Sequence, residues 1–286
     1  MKRHMIIPDT QVTPDTPTDH LRWIGQAIVD YKPDVIIHLG DHADMKALSS
    51  YDKGKKAFEG RRVKHDIDAA NRAMSLLMEP LHKYNRKRRL WKERLYRPEL
   101  HFCLGNHEHR INRCVNDMPE LDGMISTTDL NYAEHGWQVH PFLQPITIDG
   151  ITYAHFFANP MNGRPMGGQI ESRIKNIGFS FTMGHQQCYM SGELTRANGT
   201  VHQGLVCGAC YLHDEGYKGY QGNAHFRGII IKNEVRHGNY DPMRLSLDYL
   251  CRKYEGVHVW EFMKTNYPDI FERSTWMRLQ EQLEAA

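Results

Sequence analysis

The chain opens with a short apolar run, Met5-Ile6-Ile7, that stops at Pro8-Asp9-Thr10-Gln11, the pattern of a buried strand ending in a polar loop. Leu21, Ile24, Ala27, Ile28 and Tyr31 then fall at helical spacing. Thr18 and Asp19 are capping candidates and Pro33 stops the run, which predicts a helix over 18–31. A second apolar run, Val35 to Leu39, delivers Gly40-Asp41-His42-Ala43-Asp44 to a loop. Strand, helix and strand in this order form a βαβ unit, in which the carboxyl ends of parallel strands face one crevice. Leu100 to Leu104 reads as a third strand and leads into Gly105-Asn106-His107-Glu108. Beyond it, Trp137 to His140, Pro145 to Ile148 and Ile151 to His155 have β character, with Asp149-Gly150 as a tight hairpin turn. Phe179 to Met183 ends at Gly184-His185, and residues 201–207 and 224–232 read as further strands.

Two stretches depart from this rhythm. Residues from about 45 to 98 are long, polar and helical in pattern, and residues 243–286 read as a helical tail. The expected organisation is one catalytic domain over residues 1–240, carrying a basic helical insert at about 45–98, followed by a helical extension over 241–286.

Asp9, Asp41, Asn106 and His185 each follow a short apolar strand, and His155 ends another β run. Carboxylates, an amide oxygen and imidazoles delivered to one crevice in this way can surround hard or borderline cations. Glycine precedes three of them, at Gly40, Gly105 and Gly184, where the backbone turns sharply and has to pass close to whatever is bound.

The series Asp9-x-Gln11, Gly40-Asp41-x-x-Asp44, Gly105-Asn106-His107-Glu108, His155 and Gly184-His185-x-Gln187 resembles, in order and spacing, the signature of calcineurin-like metallophosphoesterases, including their phosphodiesterase and repair-nuclease branch. The resemblance implies a four-layer α/β/β/α sandwich of two sheets flanked by helices. It also implies two divalent ions bridged by Asp41, one completed by Asn106, His155 and His185 and the other by Asp9. His107 takes the place of the outer acid, and Asp44 that of its orienting partner. The implied activity is hydrolysis of a phosphate ester by metal-bound hydroxide. Gln11 and Gln187 stand where the family motif has histidine. Either both bind metal through oxygen or that position fills only with substrate. Amide oxygens favour manganese, magnesium or calcium over zinc or iron, and manganese is the expected ion.

Charge narrows the substrate. Between Lys53 and Arg97 there are 15 lysines and arginines against 5 acids, while the whole chain is only +2, so the excess of ten is confined to this stretch. A concentrated basic surface favours a polyanion, and DNA, RNA or a nucleotide is the expected partner. Arg86, Lys87, Arg88 and Arg89 are its centre, with His109 as a further substrate contact. A phosphomonoesterase, a protein phosphatase included, is the alternative within enzymes, and a non-catalytic metal-binding scaffold is the alternative outside them.

The rest of the composition excludes rather than assigns. At 40% hydrophobic and 24% charged residues, no apolar run reaches the roughly 18 residues a bilayer span requires. Asp9 follows the N-terminus too closely for a signal peptide, so an intracellular, cytoplasmic location is expected. The six cysteines are scattered, and Cys207 and Cys210 lack the second pair a structural zinc site needs.

Overall fold

The computed structural model describes residues 1–50, 54, 58–216 and 218–284. Two sheets stack face to face. The first has strands β1 (Lys2–Ile7), β2 (Val35–His38), β3 (Glu99–Cys103), β4 (Gln138–His140), β10 (Gly228–Arg236) and β11 (Asn239–Ser246), ordered β11-β10-β1-β2-β3-β4. Strands β1 to β4 run parallel, and β10 and β11 complete the sheet antiparallel. The second contains β5 (Ile146–Ile148), β6 (Ile151–Ala154), β7 (Phe181–Met183), β8 (Tyr189–Thr195) and β9 (Val201–Cys207), ordered β5-β6-β7-β9-β8.

Strand alternation explains the layering. On β1, Ile6 points between the sheets, where it meets Ile37, Tyr153, Leu205 and Ile230, while Met5 and Ile7 point outward. The outward face is covered by helices α1 (Asp19–Tyr31) and α2 (Val63–Leu90). The outer face of the second sheet packs Phe181, Met183 and Val206 against Ile170 and Ile174 of helix α4 (Ile170–Ile177). This is the expected α/β/β/α sandwich.

The basic stretch is not a separate layer. Ala69, Ala70, Ala73, Met74, Leu77 and Met78 of α2 are buried in the main core, so α2 is the crossover helix between β2 and β3. Lys53, Lys55 and Lys56 of the same stretch lie outside the described residues. Helical structure at the C-terminus starts at Leu247, not at 241 or 243, because residues 239–246 form β11. Pro242 is tolerated there since β11 is an edge strand. Beyond it α6 (Leu247–Glu255), α7 (Val259–Asn266), α8 (Pro268–Phe271) and α9 (Thr275–Glu284) fold back on the domain. Trp23 Nε1 on α1 donates to Glu255 Oε1 at 2.7 Å, and Trp276 Nε1 donates to Leu212 O at 2.6 Å. Among the described residues no helix is long and apolar enough to cross a membrane.

Candidate metal centre

The carboxyl ends of β1, β2, β3, β6 and β7 meet in one place. The loop after β2 bends sharply, with Gly40 at φ 89° and Asp41 at φ 51°. A Cβ at Gly105 would lie 2.0 Å from Asp41 Oδ1, and one at Gly184 would lie 2.4 Å from Asp9 Oδ1. Glycine at these two positions is what lets the neighbouring backbone press against the carboxylates.

Glu108 staples the loops together. It is fully buried and its carboxylate accepts four backbone N–H bonds: Oε1 from His42 at 2.7 Å and Ala43 at 3.0 Å, Oε2 from Asp41 and Gly105, both at 2.9 Å. Burial and the nearby Asp41 charge push its pKa up, and the N–H donors oppose them. On the other side of the loop, His42 Nδ1 lies 2.7 Å from Thr10 Oγ1 and His42 Nε2 donates to Ala70 O at 3.1 Å, tying it to β1 and α2.

His155 Nδ1 donates to Leu39 O at 2.7 Å, so Nε2 of the neutral ring carries the lone pair. That lone pair faces Asn106 Oδ1 at 2.9 Å, His185 Nδ1 at 3.2 Å and Asp41 Oδ2 at 3.2 Å. The His155 lone pair, Asn106 Oδ1 and Asp41 Oδ2 are acceptors that repel one another unless a cation or proton sits between them. Asp41, His155 and His185 alone bring ligand atoms within 4.8 Å of one another. Without metal, one proton does this work: burial lowers the His155 pKa, but the Asp41 charge and hydrogen bond and the Asp9 charge outweigh it and raise it to about 9. Burial and the charge on His155 then push His185 down to about 4. Two oxygens and two imidazole nitrogens are a donor set that a borderline divalent ion fits.

Asp9, Gln11 and Gln187 lie beside this cluster. Asp9 Oδ1 accepts the His185 N–H at 3.1 Å, while Asp9 Oδ2 and Gln11 Oε1 are buried without a hydrogen-bond partner among the described residues. Burial raises the Asp9 carboxyl to about 6, assisted by the Asp41 charge. Gln187 Oε1 accepts from Tyr211 Oη at 2.8 Å and from the Lys218 ammonium.

The sequence profile of the calcineurin-like phosphoesterases matches residues 3–193, two thirds of the chain. The chain belongs to the calcineurin-like phosphoesterase family. It is accordingly a metal-dependent phosphoesterase, and a phosphate ester is its substrate. No curated protein matches it in sequence. Among solved structures it is similar to YfcE, a phosphoesterase from E. coli, at 10% identity over 86% of this chain and 99% of that one, with a TM-score of 0.39. A predicted phosphoesterase from Streptococcus pneumoniae is similar at 10% identity over 86% and 99%, with a TM-score of 0.29. TT1561 of Thermus thermophilus is similar at 7% identity over 85% and 98%, with a TM-score of 0.32. Nothing about substrate follows from likenesses this distant.

In this calcineurin-like phosphoesterase His107 sits at the edge of the cluster. Its N–H donates to Asp41 Oδ1 at 3.0 Å, its Nδ1 lies 2.6 Å from Asp44 Oδ1, and its Nε2 is 3.7 Å from Asp41 Oδ2. Burial lowers its pKa, but the Asp41 charge and the Asp44 hydrogen bond and charge outweigh it and the net shift is upward. Arg110, one turn further on helix α3 (His109–Asp117), donates to Asp44 O at 2.8 Å and places Nη2 3.2 Å from His107 Nε2. Sequence reading assigned nothing to Glu108, Arg110, Tyr211 or Lys218. The acid that follows Asn106-His107 and the arginine one turn beyond were the available signals for the first two.

The basic cluster is elsewhere. Tyr96 Oη donates to Pro33 O at 2.5 Å and Asn85 Nδ2 to Tyr96 O at 2.8 Å, which fixes the end of α2 beside the start of β2. The metal ligands lie at the other end of that strand. Arg88 is roughly 27 Å along the helix from Ala70, at 1.5 Å per residue. Arg86, Lys87, Arg88 and Arg89 are therefore not brought to the centre, because a crossover helix runs antiparallel to its strands. His109 stays near it, packed on Phe142, whose ring centroid is 6.4 Å from that of His155.

Proposed function

We propose that the chain hydrolyses a phosphodiester, in nucleic acid or a nucleotide, at this centre. The observation that carries the reading is a cleft of about 650 Å³ lined by Lys46, Arg61, Arg62, His65 and Arg273. It abuts the centre rather than containing it: Lys46 Nζ is 3.4 Å from Asp44 Oδ2, and the lining residue His213 stacks on Tyr211, which bonds Gln187. A monoester has one substituent to house, whereas a diester needs room for groups on both sides of phosphorus. Asp15, Glu59, Asp66, Asp214 and Asp269 also line the cleft, so its room for two substituents rather than its net charge supports the reading; Asp66 and Asp214 are engaged by Ala47 N at 2.8 Å and by Arg227 Nη2 at 2.6 Å.

Asp41, Asn106, His155 and His185 would hold a divalent ion, for which the mixed oxygen and nitrogen donors favour manganese, with magnesium, calcium, iron or zinc as lesser fits. When bound, it polarises a phosphoryl oxygen and acidifies a water. His107 Nε2, which lies 3.7 Å from Asp41 Oδ2 and 3.2 Å from Arg110 Nη2, would donate a proton to the departing alkoxide, and Asp44 fixes the ring through Nδ1. Of the two ions expected from sequence this cluster accounts for one. The C-terminal helices brace the loop that carries Tyr211 and one wall of the cleft.

The test is hydrolysis of a chromogenic bis-ester, the matching mono-ester, and single-stranded DNA, duplex DNA and RNA, with manganese or chelator. Chelator-sensitive diester cleavage that Asp41→Ala abolishes is the expected result. Turnover of the mono-ester alone would replace the diester reading, and bound metal with no turnover on any ester would replace it with a binding protein.

A further inference from the structure

The cluster around His155 leaves the position beside Asp9, Gln11 and Gln187 to be accounted for. A second metal ion there does not fit. Gln187 is buried, and its Oε1 already accepts from Tyr211 Oη and from the Lys218 ammonium. An amide oxygen has two lone pairs, so neither is left to face a metal. Lys218 Nζ also lies 3.2 Å from Tyr211 Oη; burial lowers its pKa to about 8, and the charges of Asp9 and Glu215 oppose that.

We propose that the Lys218 ammonium supplies the second positive charge of the centre, in place of a second metal ion. The side chains around it suit that exchange. An imidazole lone pair is a strong ligand for a first-row ion, and the two positions where the family motif carries histidine hold Gln11 and Gln187 instead. An amide oxygen is a weaker ligand for such an ion but a good acceptor for an ammonium. Asp9 Oδ2 and Gln11 Oε1, both buried and without a donor among the described residues, supply further negative potential to the same position. A lysine ammonium is a compact point charge that attracts phosphoryl oxygens without dictating coordination geometry. It also stays with the chain, so activity needs a single ion and saturates with one. The inference rests on the reading of Asp41, Asn106, His155 and His185 as a metal site.

The experiment loads the full-length protein with manganese, removes free ion, and measures metal by mass spectrometry and electron paramagnetic resonance. It compares the natural chain with Lys218→Met and with the triple variant Lys218→Met, Gln11→His, Gln187→His, each checked by thermal melting. The natural chain should hold one equivalent with the six-line spectrum of an isolated ion. Lys218→Met should keep the first ion and lose about 100-fold in kcat, the scale seen when one preorganised electrostatic contact is removed. The triple variant should hold two equivalents with an exchange-coupled spectrum. Two equivalents in the natural chain would overturn the inference and leave the metal centre standing. None would overturn both. Should the triple variant not fold, unchanged kcat in Lys218→Met still overturns the inference.

Discussion

Glu108→Gln keeps the shape of the side chain and turns one of its two acceptor oxygens into a donor. In the natural chain each oxygen accepts two buried backbone N–H groups, one pair from His42 and Ala43, the other from Asp41 and Gly105. Whichever way the new amide is turned, one pair faces an NH₂ and loses its acceptor. An unsatisfied buried donor costs about 1–3 kcal/mol, so the variant should lose on the order of 2–6 kcal/mol. At about 2 °C per kcal/mol for a chain of this size, the melting temperature should fall by about 4–12 °C. Either pair includes a backbone group of the 41–43 loop that carries Asp41, so manganese affinity should fall together with stability. Differential scanning calorimetry of both proteins without metal, with manganese titration by isothermal calorimetry, reads both effects. A melting temperature within about 2 °C of the natural chain, with unchanged affinity, would refute the claim that this carboxylate sets the ligand loops.

Three further outcomes follow from the same geometry. Asp41→Ala should lose metal and turnover together, whereas His107→Ala should retain the metal and lose about 100-fold or more in kcat; equal metal loss in both, by mass spectrometry, would contradict their separate roles. Arg61→Ala with Arg62→Ala should raise KM for an oligonucleotide and flatten its dependence on salt, while Arg86→Ala with Arg89→Ala should change neither. The reverse pattern would place the substrate on the far end of α2. Burial holds His20 at a pKa of about 3 and His42 at about 4, so below the unfolded value of 6.5 the unfolded chain takes up protons that the folded chain refuses. The stability that these two buried neutral rings contribute is therefore full above pH 6.5 and falls as pH drops toward 4. A melting temperature flat across that window would show that these rings are not buried neutral.

What could be read from sequence was whatever the chain writes locally. A short apolar strand followed by glycine and a ligand residue is a local pattern, and it located Asp41, Asn106 and His185 at the strand ends the structure brings together. Arg110 and Glu108 sit beside those motifs, but their partners, Asp44 and the 41–43 backbone, are more than 60 residues away. Lys218 and Tyr211 meet Gln187 only because β9 returns the chain to the same end of the second sheet. The basic run at Arg86 to Arg89 is set apart from the centre for the opposite reason: charge is visible in sequence, but the direction in which a helix crosses the sheet is a property of the fold. A helical tail is expected on sequence from 241–243, and Pro242 sits in a strand there only because that strand is at the edge of its sheet.

Gln11, Asp41, His185 and Gln187 all adopt left-handed backbone, with φ of 40°, 51°, 62° and 55°. Non-glycine residues resist that conformation by on the order of 1–2 kcal/mol each, so folding has already absorbed several kcal/mol before any ion arrives. A flexible loop would instead surrender its freedom when it closes around a cation. Here the chain has little freedom left to surrender, so binding should be fast, weakly opposed by entropy, and accompanied by almost no movement of the backbone. The empty and loaded proteins should then be nearly superimposable at these four residues, and hydrogen exchange around them should already be slow before metal is added.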